Sequence, residues 1–252
     1  MYDFESQKKM LSVSLALLEE KRIKNISAIG GGTALAAYYW NHRYSTDIDI
    51  FIYSGKQEYK ETLRPSYWSN DIKDKMESLG FEGDYKIQTI YLEFTINRNE
   101  KMQFFDVIPF TKNPYNLVSL WGMNLNIETV EEIIAKKIHY RCEKGNSRDI
   151  FDIALAIHKY PDIFLNLGRL KSERLKLLFQ TVKTIKNDTK LIEEYLHEIS
   201  EMNPNDEYEI LSANAIYYLY DFLENYLGAK DLGIELAKDD LIEIENYVFK
   251  NL

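Results

Sequence analysis

The sequence predicts an α+β protein whose first half mixes strands with helices and whose second half is helical. Residues 47–52 alternate polar and apolar side chains with the period of two that is typical of a half-buried strand. Two further apolar runs, at 85–96 and 101–110, are joined by the polar turn "NRNE", which predicts a hairpin. After Asn113-Pro114 every pattern is helical, so helices alone are expected over the rest of the chain.

Composition indicates a folded globular protein, because 45% of the 252 residues are hydrophobic and 13% are aromatic. The net charge of -9 argues against a protein that coats nucleic-acid duplexes, although a local basic groove stays possible. Cys142 is the single cysteine, which excludes an intrachain disulfide and fits a reducing cytosol. No apolar run of about 20 residues and no convincing targeting segment occur, so we expect a cytoplasmic protein without membrane contact.

A helix is expected over residues 1–24, followed by the segment "NISAIGGGTALAAYYW". This segment begins as a short apolar strand, turns through Gly30, Gly31 and Gly32, and continues as a helix from Thr33 to Trp40. The free N–H groups and the positive dipole end of such a helix can hold phosphate oxygens. Taken alone, the glycines could equally form a tight turn without a ligand.

The stretch "YSTDIDIFIY" places Asp47, Asp49 and Phe51 on one strand face and three isoleucines on the other. Two carboxylates at this spacing lie about 7 Å apart and suit oxygen-ligated cations such as Mg²⁺. Asp106, a carboxylate in the otherwise apolar second strand of the hairpin, is expected to supply a third acid for two such ions. We also expect Asp106 to take the proton of an acceptor hydroxyl. Without the glycine turn, the pair could be only a solvated strand end.

Helical patterns recur over residues 65–79, 129–141, 148–160, 170–184, 191–202, 208–227 and 241–249. The composition changes near Pro161, which predicts two domains, at 1–160 and 161–252. Residues 169–186 carry several lysines and arginines. They could form a solvated helix face, or a groove for an RNA or nucleotide acceptor.

Two segments resemble the signatures of the AbiEii/AbiGii-type nucleotidyltransferases, the DUF1814 group. "GGTALAAYYWNHRYSTDIDIF" is similar to the first signature, Gly-Gly-Thr-x-Leu-Ala followed by Arg-x-Ser-x-Asp-hydrophobic-Asp-hydrophobic-Phe. "AKKIHYRCEKGNSRDIFDIALA" is similar to the second, a helix with Lys and Arg followed by Arg-Asp-x-x-Asp. The resemblance covers residues 26–155. The matching positions are Gly31, Gly32, Thr33, Leu35, Ala36, Arg43, Ser45, Asp47, Asp49 and Phe51, then Lys137, Arg141, Arg148, Asp149 and Asp152.

The resemblance implies a polymerase-beta-like nucleotidyltransferase core, a small mixed sheet flanked by helices, followed by a C-terminal helical bundle. It implies that Asp47 and Asp49 hold magnesium and that Lys137 contacts the triphosphate or the leaving pyrophosphate. Asp152 would align Lys137 or an acceptor. The implied nucleotide-binding residues are Gly31, Gly32, Thr33, Arg43, Ser45 and Lys137, and the predicted catalytic residues are Asp47, Asp49, Asp106, Lys137 and Asp152.

Two departures from the pattern leave assignments open. The wider superfamily often has Gly-Ser where this chain has Gly31-Gly32, so a phosphate contact would come from backbone N–H groups or from Thr33. Lys136 precedes Lys137, and we assign the role to Lys137 because it directly precedes "IHYR".

The expected activity is Mg²⁺-dependent transfer of a nucleoside monophosphate from an NTP to a hydroxyl of a tRNA-like nucleic acid or of a protein, with release of pyrophosphate. By resemblance, the setting would be the toxin of a toxin–antitoxin or abortive-infection system, with a cognate antitoxin as partner. The alternative is a catalytically silent module that binds a nucleotide or a partner and uses the C-terminal helices as its working surface.

Overall fold

The computed structural model describes residues 2–55, 74, 77–78, 85–87, 91–95 and 100–252. The chain forms two compact units. The sheet unit comprises Met1–Pro109 and Asn113–Thr129, and the helical unit comprises Phe110–Lys112 and Val130–Leu252. The helix predicted over residues 65–79 lies almost entirely outside the described residues. No helix in the described part of the chain is both long and apolar enough to cross a membrane.

Within its described residues, the sheet unit holds a mixed sheet of seven strands, as expected for the predicted fold class. Helix α1 (Glu5–Glu20) precedes the first strand, and α2 (Gly31–Ala34) follows it and continues as a π-helix, Leu35–Trp40. The strands are β1 (Ser27–Gly30), β2 (Ile48–Ile52), β3 (Tyr85–Ile87), β4 (Tyr91–Thr95), β5 (Lys101–Asp106), β6 (Tyr115–Leu120) and β7 (Met123–Glu128). Their order is β3-β4-β5-β2-β1-β7-β6; β2 pairs with β5 and β1 with β7 in parallel, and the other pairs are antiparallel.

Strand β2 is fixed in the sheet by its isoleucines. Ile48, Ile50 and Ile52 are buried, while Asp49 and Phe51 on the other face are half-buried, which confirms the predicted alternation. Burial of each such side chain contributes roughly 1.5–3 kcal/mol. Because a slip by one residue would turn all three isoleucines to the opposite face, their burial also fixes the face on which Asp49 lies.

Residues 115–128 correct the expectation of helices alone after Asn113-Pro114. Strands β6 and β7 form an antiparallel hairpin over this segment. Its two-residue turn consists of Trp121 and Gly122, with φ of 51° and 79°, the positive values that a tight hairpin turn requires. The prediction missed it because β6 lies at the sheet edge and exposes Leu117, so the strand lacks a clear polar–apolar alternation.

The hairpin predicted around residues 97–100 is confirmed by the antiparallel pairing of β4 with β5. Its first arm differs from the prediction. The run 85–96 contains two strands, β3 and β4, which pair with each other in antiparallel orientation.

The helical unit contains six helices whose bounds agree with the predicted ones to within a few residues. They are α3 (Val130–Arg141), α4 (Ser147–Lys159), α5 (Ser172–Lys186), α6 (Thr189–Glu201), α7 (Glu209–Asp231) and α8 (Lys238–Lys250). Helix α7 packs against α4, α5 and α8 and carries much of the core. Its buried side chains include Tyr218, Leu219, Phe222, Leu223 and Tyr226.

The predicted domain limits, 1–160 and 161–252, differ from the division into compact units. Helices α3 and α4 belong to the helical unit, because α4 packs extensively against α7. The units therefore divide after Thr129, and not near the composition change at Pro161. Proline ends helix α4 without ending the packing to which that helix contributes.

Two glycines test the hairpin turn through opposite expected changes in stability. Gly122→Ala should lower the free energy of unfolding by about 1 kcal/mol, because φ of +79° strains an alanine. Gly228→Ala should raise it by about 1 kcal/mol, because Gly228 lies inside α7. At both positions an added Cβ meets nothing within 4 Å among the described residues. Urea unfolding of both variants measures the two changes, and a Gly122→Ala protein as stable as the wild type would contradict the positive φ.

Candidate active site

The predicted site residues divide between the two units. Those of the first signature lie in the sheet unit, around the turn between β1 and α2 and the start of β2. Lys137 and Asp152 lie in the helical unit, on α3 and α4.

Asp49 lies directly against the glycine turn. Gly30, the last residue of β1, is the antiparallel partner of Asp49, and Gly31 follows with φ of +66°. A Cβ on Gly31 would lie 2.0 Å from Asp49 Oδ2, so no residue with a side chain fits there without displacing the carboxylate. Glycine is therefore required here both for the backbone conformation and for the approach of the acid.

Gly32 allows a second close approach. A Cβ on Gly32 would lie 2.5 Å from Arg43 Nη2 and 3.2 Å from Ser45 Oγ. The Arg43 guanidinium is only 2% exposed, and its Nη1 donates to the Tyr44 carbonyl over 3.1 Å. A side chain buried in this way supports the turn, whereas the nucleotide contact predicted for Arg43 stays a prediction.

Hydroxyl groups connect the turn to the acidic strand. The Thr33 hydroxyl donates to the Asp47 carbonyl and lies 2.8 Å from the Ser45 hydroxyl. Thr33 and Ser45 are both buried. The Asp47 carboxylate accepts a 3.3 Å hydrogen bond from the Thr46 hydroxyl. The structure thus brings the residues of the first signature into one connected cluster, and their roles towards a nucleotide stay predictions.

The strand register contradicts the prediction for Asp106. Strand β5 does lie beside β2, but Asp49 is opposite Gln103 and Ile52 is opposite Asp106. Because paired residues share a face of the sheet, Asp106 lies on the face of the buried isoleucines, opposite to Asp49. Its Oδ1 accepts a 2.6 Å hydrogen bond from the Ser54 hydroxyl. Asp106 therefore does not complete the acidic set, and the metal-binding and catalytic roles predicted for it are corrected.

Two acids that the sequence reading missed do share the face of Asp49. Glu93 on β4 is opposite Gln103, whose amide donates 2.6 Å to Glu93 Oε2. Lys101 lies 3.7 Å from the same oxygen. Glu93 is buried, so these polar partners compensate for the loss of water around its carboxylate. The register of the predicted hairpin could have placed Glu93 on the face of Gln103, but only the pairing of β5 with β2 shows that Asp49 shares this face.

Glu128 is the second of these acids and is fully buried at the end of β7. Its Oε1 accepts a 2.5 Å hydrogen bond from the Tyr53 hydroxyl, and its backbone carbonyl accepts one of 2.9 Å from Tyr39. A Cβ on Gly30 would lie 2.1 Å from Glu128 Oε2. Glu128 thus lies against Gly30 as Asp49 lies against Gly31. No sequence pattern indicated Glu128 as a site residue, because its strand falls in the segment for which only helices are predicted.

The acidic pair fits a magnesium ion that shares its coordination with a substrate. No group of three or more His, Cys, Asp or Glu side chains in the described ranges is arranged to hold a metal. Asp47 and Asp49 nevertheless offer hard oxygen donors and are half-buried. Magnesium is commonly bound through one or two carboxylates, with substrate phosphates and water completing the octahedron. These residues match that arrangement and do not match an all-protein cage.

In the helical unit, Lys137 bridges two helices. Its Nζ lies 2.5 Å from Asp149 Oδ1 and 3.0 Å from Asp152 Oδ2, and none of the three side chains is more than 7% exposed. Lys136 instead lies 3.7 Å from Glu132, which also accepts from the Phe110 backbone. The contacts therefore distinguish the two adjacent lysines, because Lys137 contacts both acids of the second signature. Its predicted contact with a triphosphate stays a prediction.

A mixed sheet in which a glycine turn meets a strand with paired aspartates defines a nucleotidyltransferase. A family model described as "Nucleotidyl transferase AbiEii toxin, Type IV TA system" matches residues 17–214, which is most of the chain. The protein belongs to this family, as the two signatures predict.

Solved structures with a similar fold include nucleotide-transferring enzymes. JHP933 from Helicobacter pylori is 15% identical, with 88% of this chain and 97% of that chain covered, at a TM-score of 0.42. The antibiotic-resistance factor ANT(2'')-Ia is 16% identical, with 76% of this chain and 98% of that chain covered, at a TM-score of 0.43. The lincosamide antibiotic adenylyltransferase LnuA is 13% identical, with 57% of this chain and 92% of that chain covered, at a TM-score of 0.39. No curated protein sequence matches the chain significantly.

Gly31→Ala tests whether the turn and Asp49 require each other. We expect it to lower the free energy of unfolding by about 2–5 kcal/mol, because positive φ and the collision with Asp49 add together. Gly55→Ala is the matched control, since φ is +57° there and an added Cβ meets no described atom within 4 Å. It should cost only about 1–2 kcal/mol. Urea unfolding measures both, and equal losses would show that Asp49 does not crowd the turn.

Lys137→Met tests the bridge between α3 and α4. The change leaves Asp149 and Asp152 buried without their shared cation, so we expect a loss of about 3–5 kcal/mol in the free energy of unfolding. Lys144→Met removes an exposed lysine from the loop between the same helices and should change stability by less than about 0.5 kcal/mol. Thermal or urea unfolding compares the two, and a stable Lys137→Met protein would rule out a structural bridge.

Proposed function

We propose that the protein transfers a nucleoside monophosphate from an NTP, with Mg²⁺, to a hydroxyl of a tRNA-like nucleic acid or of a protein. The contact between Asp49 and Gly31 is the observation that carries this proposal. Phosphates held at the glycine turn would lie beside the carboxylates that hold the ion, which is the arrangement that phosphoryl transfer needs.

Each residue of the sheet unit has a defined task in this proposal. The backbone N–H groups of Gly31, Gly32 and Thr33 bind triphosphate oxygens at the start of the helix. Asp47 and Asp49 hold the metal, and buried isoleucines keep their strand in place. A bound Mg²⁺ would neutralise the triphosphate and lower the pKa of the acceptor hydroxyl. No step needs a residue that the structure places on the other face of the sheet.

The bond changes follow from this arrangement. The acceptor oxygen attacks the α-phosphorus, and the bond from that phosphorus to the oxygen bridging to the β-phosphorus breaks, so pyrophosphate leaves. The acceptor proton must pass to a group on the face of Asp49, since Asp106 lies on the opposite face. Asp49 is the carboxylate that lies against the turn, and we assign the proton to it.

Lys137 and Asp152 enter the proposal through the second signature. We propose that Lys137 stabilises the triphosphate or the leaving pyrophosphate and that Asp152 orients it. The 3.0 Å contact between the two side chains supports the orienting role. Asp149, at 2.5 Å from the same ammonium, would share it.

The biological setting proposed is that of a cytoplasmic toxin with a cognate antitoxin, because the family description names a toxin of type IV toxin–antitoxin systems. A single cysteine is consistent with the reducing compartment in which NTPs and tRNA are found.

A second candidate function is a silent module that binds a nucleotide or a partner. It is favoured by apolar side chains that the C-terminal helices and the loop between them expose, among them Ile210 at 65%, Leu232 at 79% and Tyr247 at 67%. Transfer activity distinguishes the two candidates, because a silent module would bind without transferring.

Single substitutions of the strand acids test the proposed chemistry. The protein is incubated with each α-³²P-labelled NTP, Mg²⁺, and total tRNA or cell extract, and label on macromolecules is counted. Asp47→Asn and Asp49→Asn should each lower transfer by at least about a hundredfold, since they remove metal-holding charge.

Asp106→Asn is the matched control for this assay and should keep transfer within about threefold of the wild type, because Asp106 faces away from Asp49. Loss of transfer in Asp106→Asn would contradict the face assignment. Binding of NTP without transfer to any acceptor would favour the silent module. Absence of NTP binding would exclude both the enzyme and a silent module that binds a nucleotide.

A further inference from the structure

The helical unit has a surface that combines cations with an exposed aromatic ring. We name it the Tyr140 surface and define it by Lys112, Tyr140, Arg169 and Lys171, all of which are exposed. These residues come from three chain segments: residues 110–112, the end of α3, and the stretch before α5. Lys112, Arg169 and Lys171 lie outside both signature segments, and Tyr140 lies within the second at a position that its pattern does not specify. The proposed chemistry assigns no task to any of the four.

Backbone contacts hold two of these segments side by side. The Arg169 N–H donates to the Phe110 carbonyl over 3.0 Å. A Cβ on Gly168, which has φ of +59°, would lie 2.0 Å from the same carbonyl oxygen. On the other side, Glu132 accepts from the backbone N–H groups of Phe110 and Thr111. These hydrogen bonds therefore hold in place the backbone segments that bear Lys112 and Arg169.

Phe110 connects one of the cations, Arg169, to Tyr140. The Arg169 guanidinium lies over the Phe110 ring at 4.5 Å, and the Tyr140 ring is 6.2 Å from Phe110 in an edge contact. His139 packs between them, at 4.9 Å from Phe110 and 4.6 Å from Tyr140. The Tyr140 ring and the Arg169 guanidinium thus both pack on Phe110, and 59% of Tyr140 remains exposed.

The local charge of this surface contrasts with the net charge of -9 for the whole chain. The pKa of His139 is lowered, first by burial and then by the charges of Arg174, Arg169 and Lys171, so three cations lie within electrostatic reach of one ring. Arg174 forms an ion pair with Glu143 at 2.9 Å. The cations of the Tyr140 surface are Lys112, Arg169 and Lys171, all of which are exposed.

We infer that the Tyr140 surface binds a single-stranded segment of nucleic acid, with a base stacked on the tyrosine ring and phosphates held by the three cations. Exposed rings beside cations are how proteins hold unpaired strands without reading their sequence. A duplex presents no free base face to the ring, and an acidic peptide would use the charges but not the ring. The inference rests on the proposed function in one respect: the bound strand would be the nucleic-acid acceptor.

Binding is measured by fluorescence anisotropy on the full chain, with a 5′-labelled single-stranded RNA of about 12 nucleotides and no NTP. Lys112→Ala/Lys171→Ala removes two exposed charges without touching the Phe110 stack. It should weaken binding. It should also make the negative slope of log K against log salt shallower by about 1.4, or about 0.7 for each charge. Tyr140→Ala should weaken binding at least about fivefold and leave the slope unchanged.

Matched controls are available elsewhere in the helical unit. Lys190→Ala/Lys250→Ala removes two other exposed lysines, and Tyr247→Ala removes a tyrosine that is 67% exposed. Both should bind the RNA like the wild type. Equal weakening by the controls would overturn the inference, as would failure of the wild type to bind RNA at about 50 mM salt. Competition by polyglutamate as effective as that by unlabelled RNA of equal charge would assign the surface to an acidic protein instead.

The inference and the proposed function fail separately. An Asp47→Asn/Asp49→Asn protein should bind the RNA like the wild type, because the Tyr140 surface contains neither acid. If RNA binding depends on Tyr140 but no NTP supports transfer, the proposed chemistry alone is contradicted. The opposite outcome would contradict this inference alone. In that case the wild type does not bind RNA, and transfer persists unchanged in the Lys112→Ala/Lys171→Ala and Tyr140→Ala proteins.

Discussion

The sheet unit depends on one close approach, that of the Asp49 carboxylate to the Cα of Gly31. It requires a backbone that only glycine adopts without strain, at φ of +66°, and the register that sets Gly30 opposite Asp49. That register is fixed in turn by the isoleucines of β2, since a slip of one residue would expose all three. The burial of the isoleucine side chains thus positions the Asp49 carboxylate, although the isoleucines take no part in the proposed chemistry.

The sequence could predict the parts of this approach because each of them is local, whereas the contact itself depends on the pairing of β1 with β2. The glycine turn, the alternation in β2 and the polar residues between them lie within a stretch of some twenty residues, and each follows from backbone geometry. Asp106 could not be placed in the same way. Its strand was identified correctly, but the face on which a residue lies depends on the register between two strands, and no local pattern encodes it. Glu128 was missed for a second reason: its strand is an edge-hairpin arm without clear alternation.

The charged residues of the second signature are intelligible only as a set. Lys137, Asp149 and Asp152 are almost completely buried, and each alone would leave an uncompensated charge away from water. The sequence shows them on two helical patterns separated by the break at 142–146, and their spacing indicates neither the contact nor the burial. The structure explains why the lysine and both acids occur together, because removal of one penalises the other two. A stabilising role and a chemical one are compatible here, since a lysine held by two carboxylates is also oriented by them.

The distribution of charge reconciles an acidic protein with anionic substrates. A chain with net charge of -9 repels a polyanion that comes close to its surface, and salt largely screens this repulsion beyond about one Debye length, roughly 8 Å at physiological salt. Binding must then arise at places where cations or N–H groups are concentrated and backbone contacts hold them in position. The glycine turn is one such place in the sheet unit, and the Tyr140 surface is another in the helical unit. Under the proposed function, attraction would be confined to such places, the acidic remainder would disfavour other modes of binding, and the net charge would contribute to selectivity for the strand that fits.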